Sequence, residues 1–203
     1  DGCQSTIIPE SVTVIGEYAF YDCNSLQSIT IPESVTEIDS SAFSGCSSLQ
    51  SITIPGSVTK IGGGAFQGCS SLQSITIPEG VTEIGERIFV GCNSLQNIVV
   101  AKGNPKYDSR EGCNAIIETA TNALIDGCQS TIIPESVTVI GGYAFYDCSS
   151  LQSITIPKSV TEIDEGAFLG CSSLQSIAIP EGVTAIGWAA FEGCSSLQSI
   201  TIP

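Results

Sequence analysis

The chain has no histidine and no methionine, a single tryptophan, and only six Lys and Arg among 203 residues. Without histidine it lacks the usual general base of serine and cysteine nucleophiles and the commonest metal ligand. Six basic residues against 21 acidic ones leave a formal net charge of -15, which excludes DNA, RNA or an anionic membrane surface as an unassisted partner. No apolar run approaches the roughly 18 residues of a helical membrane span, and no charged-then-apolar leader is present. Cys-x-x-Cys, Asp-x-Asp-x-Asp-Gly and Asn-x-Ser/Thr are also missing, which removes the usual zinc, calcium and N-glycan signatures. No cofactor is expected. The chain starts without Met inside a repeat and stops in the middle of another, as an excised fragment or mature segment of a longer array would.

What is present is periodicity. Cys23, Cys46, Cys69 and Cys92 fall 23 residues apart, and Cys148, Cys171 and Cys194 resume the beat. Val12, Ile15, Phe20, Leu26, Ile29 and Ile31 recur one period on at Val35, Ile38, Phe43, Leu49, Ile52 and Ile54, and all seven phenylalanines share one column. Such a period marks a solenoid, a single domain over residues 1–203 in which each coil touches only its neighbours. At residues 101–133 one coil is 33 residues long; four coils of 23 plus this one make a super-repeat of 125, so that residues 1–20 return almost unchanged at 126–145.

Within a coil, Leu26-x-x-Ile29-x-Ile31-Pro32 reads as a short strand, with the isoleucines inward and Ser28 and Thr30 outward. Proline ends the strand by removing a ladder donor. The Gly16, Asp39, Gly62 and Gly85 column predicts a turn with positive φ, and the Ala-Phe step before each cysteine predicts a short helical or 3-10 turn that buries Phe. One coil alone buries too few side chains to offset the entropy of ordering it, so coils must stack, with strands about 4.8 Å apart in a parallel sheet. The columns Glu37, Lys60, Glu83 and Glu135, Lys158, Glu181 then place a lysine between stacked acids.

These motifs, Cys-x-x-Leu-x-x-Ile-x-Ile-Pro, Val-Thr-x-Ile-Gly and Ala-Phe-x-x-Cys, resemble the BspA-like, Treponema pallidum-type leucine-rich repeats over essentially the whole chain. Residues Asn104-Pro105-x-Tyr107 and Asn114 to Asp126 of the long coil look like the hairpin-bearing insert of that family. The resemblance implies a leucine-rich-repeat array with a parallel sheet on one face, secreted or on a microbial cell surface, often adhering to host proteins or other cells.

The ten cysteines form two groups. Seven lie in the ladder column beside Leu, where a small buried thiol can meet backbone groups; stacked in a line they cannot surround a tetrahedral metal. In the long coil, a hairpin turning at residues 119–122 pairs Glu118 with Ala123, and counting back places Cys113 opposite Cys128. A disulfide and two buried thiols both fit that placement. Cys3 is the super-repeat copy of Cys128, and the counterpart of Cys113 would precede residue 1.

Catalysis has no support in these residues. Serine and threonine are ladder material, and the carboxylates Glu33, Glu37 and Glu79 sit at turns or exposed columns. A partner is expected instead on the outward strand columns: Ser28, Ser51, Ser74, Asn97, Ser153, Ser176 and Ser199, beside Thr30, Thr53, Thr76, Val99, Thr155, Ala178 and Thr201. That face is uncharged and hydroxyl-rich, suited to many weak hydrogen bonds summed over coils. Trp188 stands where other coils carry Glu17, Glu86 or Glu165, and Tyr18 and Tyr21 recur as Tyr143 and Tyr146. Three functions follow: adhesion to a protein or glycan on a host or neighbouring cell, a stalk or self-associating filament, and, more remotely, an ice-binding face.

Overall fold

The computed structural model describes residues 5–201. β-Branched residues alternating with Ser and Thr suit a half-buried strand. They build a five-stranded parallel sheet from Ser5–Ile7, Ser28–Thr30, Ser51–Thr53, Ser74–Ile77 and Asn97–Val100. Its register is the sequence period, with Ile29 beside Ile52 and Thr76 beside Val99. Ile29, Ile52, Ile75 and Ile98 point into the core, and the residues on either side of each point out.

A second parallel sheet runs along another side of the coil through Val14–Ile15, Glu37–Ile38, Lys60–Ile61 and Glu83–Ile84. Glu37, Lys60 and Glu83 are neighbours in it, and Lys60 Nζ lies 3.5 Å from Glu37 and 3.4 Å from Asp39. The predicted lysine-between-acids column is therefore present here. Lys158 forms no such ion pair among the described residues.

Between strands the chain turns by successive i to i+3 bonds, Ala42 N to Asp39 O, Cys46 N to Phe43 O and Leu49 N to Cys46 O, rather than by helix. Among the described residues the only 3-10 helix is Arg110–Gly112. Neighbouring coils are also laced at this corner, as in Phe43 N to Ala65 O at 2.8 Å. Positive φ falls two residues after the Gly16 column, on Tyr18, Ser41, Gly64, Arg87, Tyr143, Gly166 and Ala189. Gly62 is needed for space instead, since a Cβ there would stand 2.4 Å from Ser40 N in the preceding coil.

The phenylalanines stack as a ladder inside, with centroids 5.1 Å apart for Phe20–Phe43, 5.7 Å for Phe43–Phe66 and 6.2 Å for Phe66–Phe89. The ladder breaks before Phe145, and so does the core, which divides into two clusters. The long coil makes the break. Ala115–Glu118 and Ala123–Gly127 form an antiparallel hairpin flanked by Tyr107–Asp108, and its second strand leads into Val139–Ile140, Glu162–Ile163 and Ala185–Ile186. Asp126 and Gly127 wedge between Phe89 and Phe145. There Gly127 N donates to Ala144 O at 2.9 Å, and the buried Asp126 carboxyl faces the backbone amides of Ile88 and Phe89.

Candidate functional site

The outward columns of the first sheet are formed by the strand alternation, and their side chains are exposed at every coil: Ser28, Ser51, Ser74, Asn97, Ser153, Ser176 and Ser199, with Thr30, Thr53, Thr76, Val99, Thr155, Ala178 and Thr201. Their backbone is less continuous than the repeat implies. Five strands are followed, beyond the long coil, by only an isolated bridge from Ser153 to Ser176, and Thr155 lies outside any strand. Ser176–Ala178 and Ser199–Thr201 then pair as a separate two-stranded sheet. The physical cause is the hairpin, which interposes residues 128–133 between the two blocks without strand geometry.

Sequence reading missed the two exposed isoleucines of this face. Where other coils read Ser-Ile-Thr-Ile-Pro, residues 5–9 and 130–134 read Ser-Thr-Ile-Ile-Pro. Transposing the middle pair turns threonine inward and isoleucine outward. Ile7 is 92% exposed and Ile132 74%, large values for aliphatic side chains, and Val99 at 38% lies in the same column. Thr131, by contrast, is buried; its hydroxyl accepts from Cys128 N at 2.8 Å and donates to Asn114 O at 2.7 Å. The signal was the transposition itself.

Trp188 is 73% exposed at the corner, where its carbonyl accepts from Gly166 N of the preceding coil at 2.9 Å. Tyr18 and Tyr21 are exposed and meet edge to face at 5.5 Å. Their copies Tyr143 and Tyr146 are half-buried under Arg87, whose guanidinium carbon lies 3.8 Å from the Tyr143 ring centre.

The ladder cysteines turn inward. Cys46 Sγ donates to Phe20 O at 3.1 Å and Cys171 to Phe145 O at 3.1 Å. Burial pushes their thiols up, Cys46 to about 12. Cys113 and Cys128 are free thiols, and the direct opposition expected of them is not realised. Glu118 does pair with Ala123, but a bulge between Ile116 and Ile117 shifts the register by one, so that Ala115 faces Gly127. Cys128 Sγ consequently meets Asn114 O at 3.4 Å, while Cys113 Sγ turns to Ala115 O. The two belong to different core clusters. Cys3 lies outside the described residues.

Residues 2–110 and 121–203 match the BspA type leucine rich repeat region in six copies. The chain belongs to the BspA-type leucine-rich repeat family. Its fold agrees with solved members. A leucine-rich repeat protein of Eubacterium ventriosum is 28% identical with a TM-score of 0.77, over 98% of this chain and 59% of that one. A leucine rich cell surface protein of Faecalibacterium prausnitzii is 31% identical with a TM-score of 0.61, over 98% and 73%. The leucine rich repeat protein of T. pallidum is 29% identical with a TM-score of 0.57, over 97% and 78%. The chain thus spans about three-fifths of the E. ventriosum protein. No curated protein matches it. Among the described residues no helix is long and apolar enough to cross a membrane.

Proposed function

We propose that this BspA-type array is a non-enzymatic module of a bacterial surface protein, adhering through its first-sheet face to a protein or glycan on a host or neighbouring cell. The observation that carries the reading is the transposed pair at residues 131–132. It sets an exposed isoleucine in the same column as Val99, in a face made mostly of small uncharged side chains. Apolar anchors within a polar surround are the usual energetic centre of a protein interface. Rows of Ser and Thr on either side supply weak contacts that add over coils. Likeness to a cell surface protein of F. prausnitzii supports the location.

The test is capture from extracellular-matrix and bacterial surface extracts by three forms of the chain: unaltered, Ile132→Ser, and Thr30, Thr53, Thr76 and Thr155 all changed to Lys. Capture of one defined protein or glycoprotein that both variants lose supports the reading. A partner held equally by all three forms, or no partner with concentration-dependent sedimentation of the unaltered chain, would replace it by a filament or spacer role.

A further inference from the structure

The second sheet is left open at one step, and the sequence says why. In each unbroken coil the strand is tied to its predecessor by bonds that include Thr59 N to Thr36 O with Gly62 N to Ile38 O, then Thr82 N to Thr59 O with Gly85 N to Ile61 O. One period beyond Thr82 stands Pro105, which has no N–H to give. The chain there leaves the stack and joins the hairpin, and the donors of the following coil, Thr138 N and Gly141 N, are taken by Asn122 O and Leu124 O. The carbonyls of Thr82 and Ile84 are left without a hydrogen-bond partner among the described residues, and Ile84 lines a groove of about 600 Å3. That volume is within the range of about 300–1,000 Å3 common for ligand sites.

Glu86, Glu118, Asp164 and Glu165 line this groove, and its one lining cation, Lys106, sits 3.8 Å from Glu118. At the rim, the Tyr143 ring already holds a guanidinium, that of Arg87, while its hydroxyl bonds the Glu165 carboxylate. The chemistry displayed is an acceptor edge, carboxylates and an aromatic face that takes a cation. A chain of net charge -15 attracts a partner of opposite sign.

We propose that this groove docks an extended Lys- or Arg-bearing segment of a basic protein partner, which adds as a short strand to Glu83–Ile84. Its backbone N–H groups donate to Thr82 O and Ile84 O, and its cationic side chains meet Glu86, Asp164 and Glu165. The site is separate from the first-sheet face and does not depend on that reading.

The probe is an end-blocked peptide, Lys-Thr-Arg-Val-Lys-Thr, titrated by calorimetry at low ionic strength against the whole chain. Its analogue N-methylated at alternate residues keeps the charge and loses the donors. Saturable binding is expected, weakened at least about tenfold both by N-methylation and by the triple change Glu86→Gln, Asp164→Asn and Glu165→Gln. The control triple Glu10→Gln, Glu33→Gln and Glu135→Gln removes equal charge outside the groove and should change affinity by less than about twofold. Urea midpoints confirm that both triples fold. Equal losses from the two triples, undiminished binding of the methylated peptide, or no saturable binding would each overturn the proposal. Ile132→Ser, which tests the other face, should leave peptide binding unchanged.

Discussion

The Sγ of Cys69 donates to the carbonyl oxygen of Phe43, 26 residues earlier, at 3.2 Å, and Cys92 repeats the bond to Phe66 at 3.1 Å. The cysteine column is thus a thread that sews each coil to the one before. A thiol so placed is buried and starved of the water its thiolate would need, which is why burial pushes Cys69 and Cys92 upward and Cys46 to about 12.

Alkylation should therefore grade the cysteines by position. At pH 8 in native buffer, Cys46 and Cys69 should react at least about a hundredfold more slowly than free cysteine. Partly exposed Cys23 and Cys194 should react before them. Peptide-resolved mass spectrometry reads the order. In denaturant without reductant Cys113 and Cys128 should both take label, and a bridged peptide pair would contradict the register shift that separates them.

Phe66→Ala should lower stability by about 3–5 kcal/mol, because it empties a fully buried rung between Phe43 and Phe89. In an array that couples only nearest neighbours, the loss should be local. Hydrogen exchange should quicken in the coils around Phe43, Phe66 and Phe89 while the second cluster around Phe168 keeps its protection. Uniform loss along the chain would mean that the two core clusters fold as one.

Asp126→Asn should stabilise the chain at neutral pH. Burial raises the Asp126 carboxyl well above its usual value, outweighing the backbone amides of Gly127, Ile88 and Phe89 that favour the anion, with the thiols of Cys92 and Cys148 nearby. A carboxyl whose folded pKa is raised binds its proton more tightly when folded. Its contribution is therefore fully present below the unfolded value of about 3.9 and is lost as pH rises through the folded one. Asparagine keeps an acceptor and has no charge to desolvate. Paired urea midpoints should show the variant ahead at pH 8 and level with the unaltered chain near pH 4; a gap that ignores pH would remove the carboxyl from the explanation.

The repeat period disclosed the inward residues almost completely, because identical packing demands recur at every coil. Leu26, Phe43, Ile52 and Cys46 were all placed correctly from spacing alone. Spacing was a poorer guide wherever one coil differs from the next. Positive φ at Tyr18 and Arg87 is carried by residues with no glycine-like signature, and the bulge beside Ile117 lies in the hairpin, which the 23-residue coils do not repeat. The outward columns were readable as positions, yet Ile132 hid in a swap of two letters. Pro105 was visible throughout, but its meaning, a missing donor opposite Thr82, needs the register of the coil above it.

That swap can be undone, and the outcome separates folding from function. Thr131→Ile with Ile132→Thr restores the order seen in the other coils, and a consensus argument would expect added stability. The bonds of Thr131 argue the reverse. Isoleucine there leaves the buried Cys128 amide without its acceptor, at a cost of about 1–3 kcal/mol, and leaves the Asn114 carbonyl with only the Cys128 thiol as donor. The double variant should unfold at lower urea, whereas Ile132→Thr alone, on an exposed site, should stay within about 0.5 kcal/mol of the unaltered chain. If both results hold, the inward threonine is accounted for by the architecture of the long coil, but the outward isoleucine is not, since threonine would serve the fold as well. An exposed apolar side chain that the fold does not require is what the proposed interface at this face would use as its anchor.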